Sequence, residues 1–481
     1  MFYGLADSNN PKKENVNILY FYLNKCNCFK MTNFAAENRE TMKKVLFIFV
    51  LLGVTVVAGA QEILTLSQCL QRAIDNNLSL KSSRNELGKA RYNLSENRAK
   101  LLPQINLVAS FNDNFEPPVS VTDGTAYGKL YNVTKTLQYN AAAGLQLQMP
   151  LYNQTVYTSI GIAKTVNSLN ELSYEKARED LIMQVSRMYY LAQNTEEQLK
   201  LVQENITRLK ALRDITVAFY DNGMAVEVDV QRVNINLENL QVQYDNAKAM
   251  LTQQYNTLKY VMDYPAEQQI TVTAADVNEM EKLQYEGPAM NQYELLLLQE
   301  KEKLARQQTK VIKDGYLPTL SLTGSWMYSA YTDKFKSWFH SGESNHWFGS
   351  NGVGLSLRVP VFDGFDKRSR IRKGKIDIEN ARLSYENARK NVETQYMNAT
   401  NDLQNSERNY MKQKDNYRLA ENVCGVTTDR YREGIASMTE VLQDEMRVSE
   451  AQNNYLTAHY NYQVANLTLM KLTRQLDRLT K

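Results

Sequence analysis

Residues 431–442 read YREGIASMTEVL, and residues 220–231 read YDNGMAVEVDVQ. Each sets a tyrosine three residues ahead of a glycine and then resumes a helix-forming run, and the two lie 211 residues apart. Two further anchors recur in the same order. LLPQINL (101–107) matches YLPTLSL (316–322) at an offset of 215, and LQMPLYN (147–153) matches LRVPVFD (357–363) at 210. Three ordered anchors at nearly constant spacing mark an internal duplication. The repeated turn is therefore one part of a repeated half-chain, with halves at 61–265 and 266–481 and hairpin tips at 220–229 and 431–440.

Between the anchors the apolar residues keep helical time. Leu181, Val185, Met188, Ala192, Thr195, Leu199, Val202, Ile206 and Leu209 step alternately by four and three, a heptad seam on a helix expected from about Val156 to Phe219. Val230, Val233, Leu237, Leu240 and Tyr244 carry the pattern back after the first turn. Ile378, Ala381, Tyr385, Ala388 and Val392, then Val448, Ala451, Tyr455, Ala458 and Tyr462, repeat it in the second half. At 1.5 Å rise per residue such helices reach roughly 90–100 Å. These are coiled-coil hairpins, too long for one globular core.

Each half also holds two segments of period two. Ile105, Leu107, Ala109 and Phe111 alternate with mostly polar or small residues, as do Tyr139, Ala141, Ala143, Leu145 and Leu147, then Leu320, Leu322, Trp326 and Tyr328, then Val353, Leu355 and Leu357. The expected strands are 104–115, 138–149, 319–329 and 352–360, bounded by Pro103, Pro150, Pro318 and Pro360, which can continue neither kind of ladder. About ten residues with one apolar and one polar face is the pattern of a transmembrane barrel strand. The intervening stretches 116–137 and 331–351 read as polar loops. A sheet in lipid must close on itself, and the smallest closed barrels have about eight strands. Four per chain require an oligomer, and three chains would supply twelve.

MKKVLFIFVLLGVTVVAGA (42–60) has two lysines, an apolar run too short to span a bilayer, and a small-residue triplet, the layout of a secretory signal cleaved after Ala60. Residues 1–41 are then an upstream extension outside the mature protein. Of four cysteines only Cys69 and Cys424 lie beyond that signal, which leaves no disulfide framework. Net charge is +3, with 56 Lys and Arg interspersed among 53 Asp and Glu, so nothing marks a nucleic-acid surface.

From Leu64 to about Leu476 the layout resembles the outer membrane efflux protein family, the TolC-like channels. RYREGIASMTEVLQDEMRVSEAQNNY (430–455) is similar to the family's tip motif, VPVFDG (359–364) to its strand-to-helix junction, and LTLSQCLQRAIDNNLSL (64–80) to its opening helix. The resemblance implies a homotrimer in the outer membrane, with twelve pooled strands as a β-barrel and the helical hairpins as a periplasmic α-barrel. Its implied partners are a periplasmic adaptor (membrane fusion protein), an inner-membrane pump of the RND or ABC type, and outer-membrane lipid. It implies the exit duct of a tripartite export system for small molecules, with type I protein secretion as the alternative. It also puts an acidic constriction at Glu440, with Gln443 in place of a second acid, a tip latch at Asp229 and Tyr431, and adaptor contacts at Gly223, Met224, Gly434 and Ile435. The latch arginine of the family falls on Ala436 and a threonine partner on Val228.

An enzyme reading finds no nucleophile elbow or phosphate loop. His340 and His346, in a loop of Ser, Gly and aromatics, read as surface residues rather than a metal pair, and no cofactor is implied. A structural envelope coiled coil would explain the heptads but not four period-two segments bracketed by prolines.

Overall fold

The computed structural model describes residues 62–123, 125–128, 130–274, 287–339 and 347–480, of which Ile63 onward belongs to one compact unit. The expected signal at 42–60, the extension at 1–41 and the histidines at 340 and 346 lie outside the described residues.

Seven helices account for most of the described chain: α1 (Leu66–Asn76), α2 (Leu78–Ala99), α3 (Gln154–Asp221), α4 (Glu227–Met262), α5 (Tyr293–Asp314), α6 (Asp366–Arg432) and α7 (Met438–Leu472). At 68 and 67 residues, α3 and α6 are each about 100 Å long. α3 folds back into α4, and α6 into α7. The shorter α2 and α5 lie beside the other ends of the long helices, giving the packing order α2, α3, α5, α6. Where α5 crosses α6 the backbones come close, because a Cβ on Gly374 would run into the Thr309 side chain. The predicted seam is the buried one. Leu181, Val185, Ala192, Val202, Ile206 and Leu209 are all under 8% exposed. On α6 the matching positions Ile378, Ala381, Tyr385 and Ala388 are only half-buried, as expected of an outermost helix with one flank uncovered.

A four-stranded antiparallel sheet runs in the order β2 (Gln104–Asp113), β5 (Tyr139–Tyr152), β7 (Thr319–Thr332), β8 (Trp347–Arg358). Pro103, Pro318 and Pro360 flank strands as the sequence implied. Pro150 does not end its strand: β5 continues to Tyr152 through a register shift between the two, because a proline is tolerated where the ladder is already irregular. The stretch 116–137 also departs from a plain loop. It carries a hairpin of β3 (Val119–Asp123) and β4 (Tyr131–Lys135), in which Val121 faces Val133.

Midway along the hairpins β1 (Glu62–Leu64) pairs with β6 (Ile270–Val272), and α1 packs on α3 and α4. α1 starts with a complete capping box, in which Thr65 Oγ1 accepts from Gln68 N and Gln68 Oε1 from Thr65 N. Leu64, Leu70, Val185, Leu258 and Met262 form the largest core of the described residues. No described helix is long and apolar enough to cross a membrane.

Candidate functional site

The two hairpin tips are the same object made twice. In the first, Met224 N donates to Phe219 O at 2.7 Å and Gly223 N to Tyr220 O at 2.9 Å; in the second, Ile435 N donates to Arg430 O at 2.8 Å and Gly434 N to Tyr431 O at 2.9 Å. This paired bonding terminates a helix through a left-handed residue. Both glycines sit at φ +75°, which explains why Gly is the fixed letter of the motif. Met224 and Ile435 follow at 67% and 63% exposure, so each tip presents an apolar side chain to its surroundings.

Beyond the turns the tips diverge. α7 begins with a capping box: Ser437 Oγ accepts from Glu440 N at 3.3 Å, and the Glu440 carboxylate accepts from Ser437 N at 3.1 Å. Glu440 thus has a helix-starting task. Gln443, one turn on, is exposed. α4 starts at Val226 without any side-chain cap, and its first-turn acids are Glu227 and Asp229.

Asp229 and Tyr431, the expected latch pair, use other partners within the protomer. Asp229 accepts from Arg232 at 3.1 Å, one turn further along the same helix. The Tyr431 hydroxyl bonds Thr216 Oγ1 at 3.4 Å, and its ring meets Phe219 at 5.6 Å. Burial pushes the Tyr431 phenol up, the Thr216 bond works against that, and the nearby Asp229 charge adds to the rise. The two hairpins are joined at the tips by this Tyr431–Thr216 bond and by Arg232, whose guanidinium also reaches Thr439 Oγ1 at 3.4 Å. An arginine thus does sit at the tips, on α4 rather than at the Ala436 position. The i to i+3 spacing of Asp229 and Arg232 was readable; Thr216 and Thr439 reach partners more than 200 residues away, and no local pattern signals them.

Behind the tips lies an apolar cluster of Leu209, Leu212, Val233, Tyr431, Met438 and Val441. A polar layer follows. Arg208 holds Glu445 through two bonds, buried Asn205 and Gln452 bond each other at 2.6 Å, and Thr427 donates to Asp444 at 2.8 Å. Beside this layer a groove of about 400 Å³ runs between α4 and α7, lined in part by Asn236, Leu240, Gln243, Leu442 and Met446.

At the far end, the register of the sheet sorts the side chains into two continuous faces. Leu107 pairs with Leu145, Leu145 with Trp326, and Leu322 with Leu355, so one face is mostly apolar, with Asn351 opposite Trp326 at the β8 edge. Asn106 pairs with Gln146, Gln146 with Ser325, and Ser325 with Gly352, so the other is polar and small. Both outer strands, β2 and β8, leave one ladder open. Among the described residues no group of His, Cys, Asp and Glu is placed to hold a metal.

Comparison with known proteins places this architecture. Residues 69–262 and 291–473 match the profile described as Outer membrane efflux protein. The Outer membrane protein TolC of Escherichia coli (strain K12) is 24% identical over 449 residues, which cover 89% of this chain and 86% of that protein. The outer-membrane channel OprN superposes with a TM-score of 0.68 at 17% identity, covering 85% of this chain and 89% of OprN. CusC, described with transmembrane channel formation, gives 0.69 at 15% identity, covering 85% and 91%. At those identities the two structures speak for the fold alone.

Proposed function

We propose, from the premise that this chain belongs to the outer membrane efflux protein family and is an outer-membrane efflux channel, that three copies form the passive exit duct of a tripartite export system. The single observation that carries the oligomer is the open sheet. Four antiparallel strands leave β2 and β8 as edges that run in opposite directions. β8 of one copy can therefore pair antiparallel with β2 of the next, and a ring of copies has no edge left in lipid. Two copies give a barrel of minimal bore and three give twelve strands, enough for an aqueous lumen lined by the Asn106, Gln146 and Ser325 face. The helices follow the strands in order, so α6 of one copy meets α2 of the next and the uncovered flank of α6 is buried.

In this reading the hairpin tips face a periplasmic adaptor, with Gly223, Met224, Gly434 and Ile435 as contacts, and an inner-membrane pump of the RND or ABC type delivers the cargo. Small toxic molecules are the cargo we favour, with type I protein secretion as the alternative. The family is one of channels, which favours a protein without catalysis of its own. Native mass measurement of the detergent-extracted protein tests the assembly: three chains are expected, and a monomer that still conducts in a bilayer would overturn it. Loss of the channel should sensitise cells to small toxic compounds. Unchanged sensitivity with loss of a secreted protein would favour the alternative.

A further inference from the structure

Positive charge is concentrated where sheet turns into helix. The four segments that meet the sheet, 96–100, 154–164, 310–314 and 363–375, hold eleven Lys and Arg against four Asp and Glu, whereas the whole chain has a net charge of only +3. The densest part is the start of α6, DKRSRIRKGK (366–375). Two of its cations are matched by nearby acids: Lys367 bonds Asp363 at 3.1 Å, and Arg370 meets Asp366 at 3.5 Å. Arg368, Arg372, Lys373 and Lys375 are exposed and have no acidic partner among the described residues. Immediately before them Val361, Phe362 and Phe365 are 94%, 76% and 60% exposed, the two rings touching edge to face at 5.6 Å.

Apolar and aromatic side chains followed within a turn or two by unmatched cations are what a membrane boundary selects, because rings settle at the headgroup level while long cationic chains reach the phosphates. The apolar sheet face ends at Leu357, and residues 368–375 cover only about 10 Å of helix below the turn, within a Debye length of the headgroups. The end of α2 nearest the sheet, which a neighbouring copy would bring alongside, is itself net positive, with Arg98 and Lys100 against Glu96. We propose that the turn from β8 into α6 is a lipid-headgroup site: Phe362 and Phe365 enter the acyl boundary, and Arg368, Arg372, Lys373 and Lys375 hold the phosphate of an anionic phospholipid in the periplasm-facing leaflet. This rests on the membrane placement and the sheet orientation argued above.

The test uses the whole channel in detergent, incubated with phosphatidylglycerol or phosphatidylethanolamine, with retained lipid counted by native mass spectrometry. Phosphatidylglycerol should be retained preferentially. Retention should fall about tenfold or more in the variant R368Q/R372Q/K373Q/K375Q, and not in K412Q/R418Q, which removes exposed cations roughly 65 Å further along α6. If the fourfold variant fails to assemble, the pairs R368Q/R372Q and K373Q/K375Q give the same reading at smaller amplitude. Equal retention of both lipids, undiminished retention in the variants, or full displacement by inorganic phosphate would overturn the proposal. So would loss of peptidoglycan co-sedimentation in the variant with lipid retention intact, which would assign the cations to the cell wall. A protein that needs no detergent and forms no pores fails the channel reading itself; one that conducts but shows no lipid preference fails only this proposal.

Discussion

The guanidinium of Arg208 lies on the carboxylate of Glu445 through two bonds, from Nε at 2.8 Å and Nη2 at 3.1 Å. Nη2 also donates to Asn205 Oδ1 at 2.6 Å, and Asn205 in turn bonds Gln452. α3 and α7 belong to different hairpins, so this chain of polar groups joins the duplicated halves at one fixed register. A polar layer in an otherwise apolar seam acts in that way because sliding by one heptad would strand its donors and acceptors.

Removing one partner should cost more on the side that leaves the more buried charge. The Glu445 side chain is 11% exposed and that of Arg208 32%. Arg208→Ala, which strands the carboxylate, is expected to destabilise the protein by about 2–3 kcal/mol, and Glu445→Ala by about 1–2 kcal/mol. The double variant should cost less than the sum. Urea unfolding of the detergent-solubilised protein measures all three, and strict additivity would show that the two bonds contribute nothing to stability.

A second prediction concerns pH. His459 is buried on α7, tilted against Tyr410 at 5.2 Å and stacked on Tyr455 at 6.4 Å, and burial, helped by the positive charge of Lys414, lowers its pKa to about 4. The imidazole is therefore neutral in the fold and takes up a proton near pH 6.5 only when unfolded. The unfolded state binds more protons between those two values, so stability falls as pH drops from about 6.5 towards 4, by at most about 3 kcal/mol per chain. Below that window the contribution is flat. His459→Phe should flatten this part of the pH profile of thermal unfolding, and an unchanged slope would place the titration elsewhere.

The tip glycines give a third. Gly223 and Gly434 share φ +75° and have open space where a Cβ would point, so alanine meets no clash and only the backbone cost remains. Gly223→Ala and Gly434→Ala should each cost about 1–2 kcal/mol, and by the same amount, because the two turns make the same bonds. Limited proteolysis at the tips reads local opening; a large difference between the two would mean that one turn is held by its neighbours rather than by itself.

Much of this was legible because the physics is local. Alternation in Leu145, Leu147 and their neighbours reports a two-faced strand, and the four-three step of Leu181 to Leu209 reports a seam. The β3–β4 hairpin reads as loop in the sequence because its apolar letters, Val119, Val121 and Val133, are few and sit among Ser, Thr, Asp and Asn. Pro150 reads as a strand end because proline ends a regular ladder, whereas here the ladder shifts register at that point and the strand runs on to Tyr152. Ser437-x-x-Glu440 is a local capping signature in plain view, yet reading Glu440 as ring charge passes over it. Bonds such as Tyr431 to Thr216 depend on how two hairpins are set side by side, which no window of sequence contains.

The capping box sharpens the test of the gate. If three Glu440 carboxylates ring the narrow end of the duct, they attract cations, and Glu440→Gln should abolish cation preference in planar bilayers. Glutamine also serves as the third residue of a capping box, so the start of α7 and the unfolding midpoint should hardly change. Glu440→Ala removes charge and cap together, and should lose the same selectivity with about 1 kcal/mol of stability besides. Asp229→Ala acts by another route. It frees Arg232 from its ion pair, leaves the 3.4 Å contact to Thr439 without its anchor, and should raise open probability with ion preference retained. Arg232→Gln should reproduce that opening, whereas Tyr431→Phe, which loses only the bond to Thr216, should not. If selectivity survives in both Glu440 variants, the carboxylate is a helix cap and nothing more. If Tyr431→Phe opens the channel as readily as Arg232→Gln does, the latch runs through the tyrosine after all.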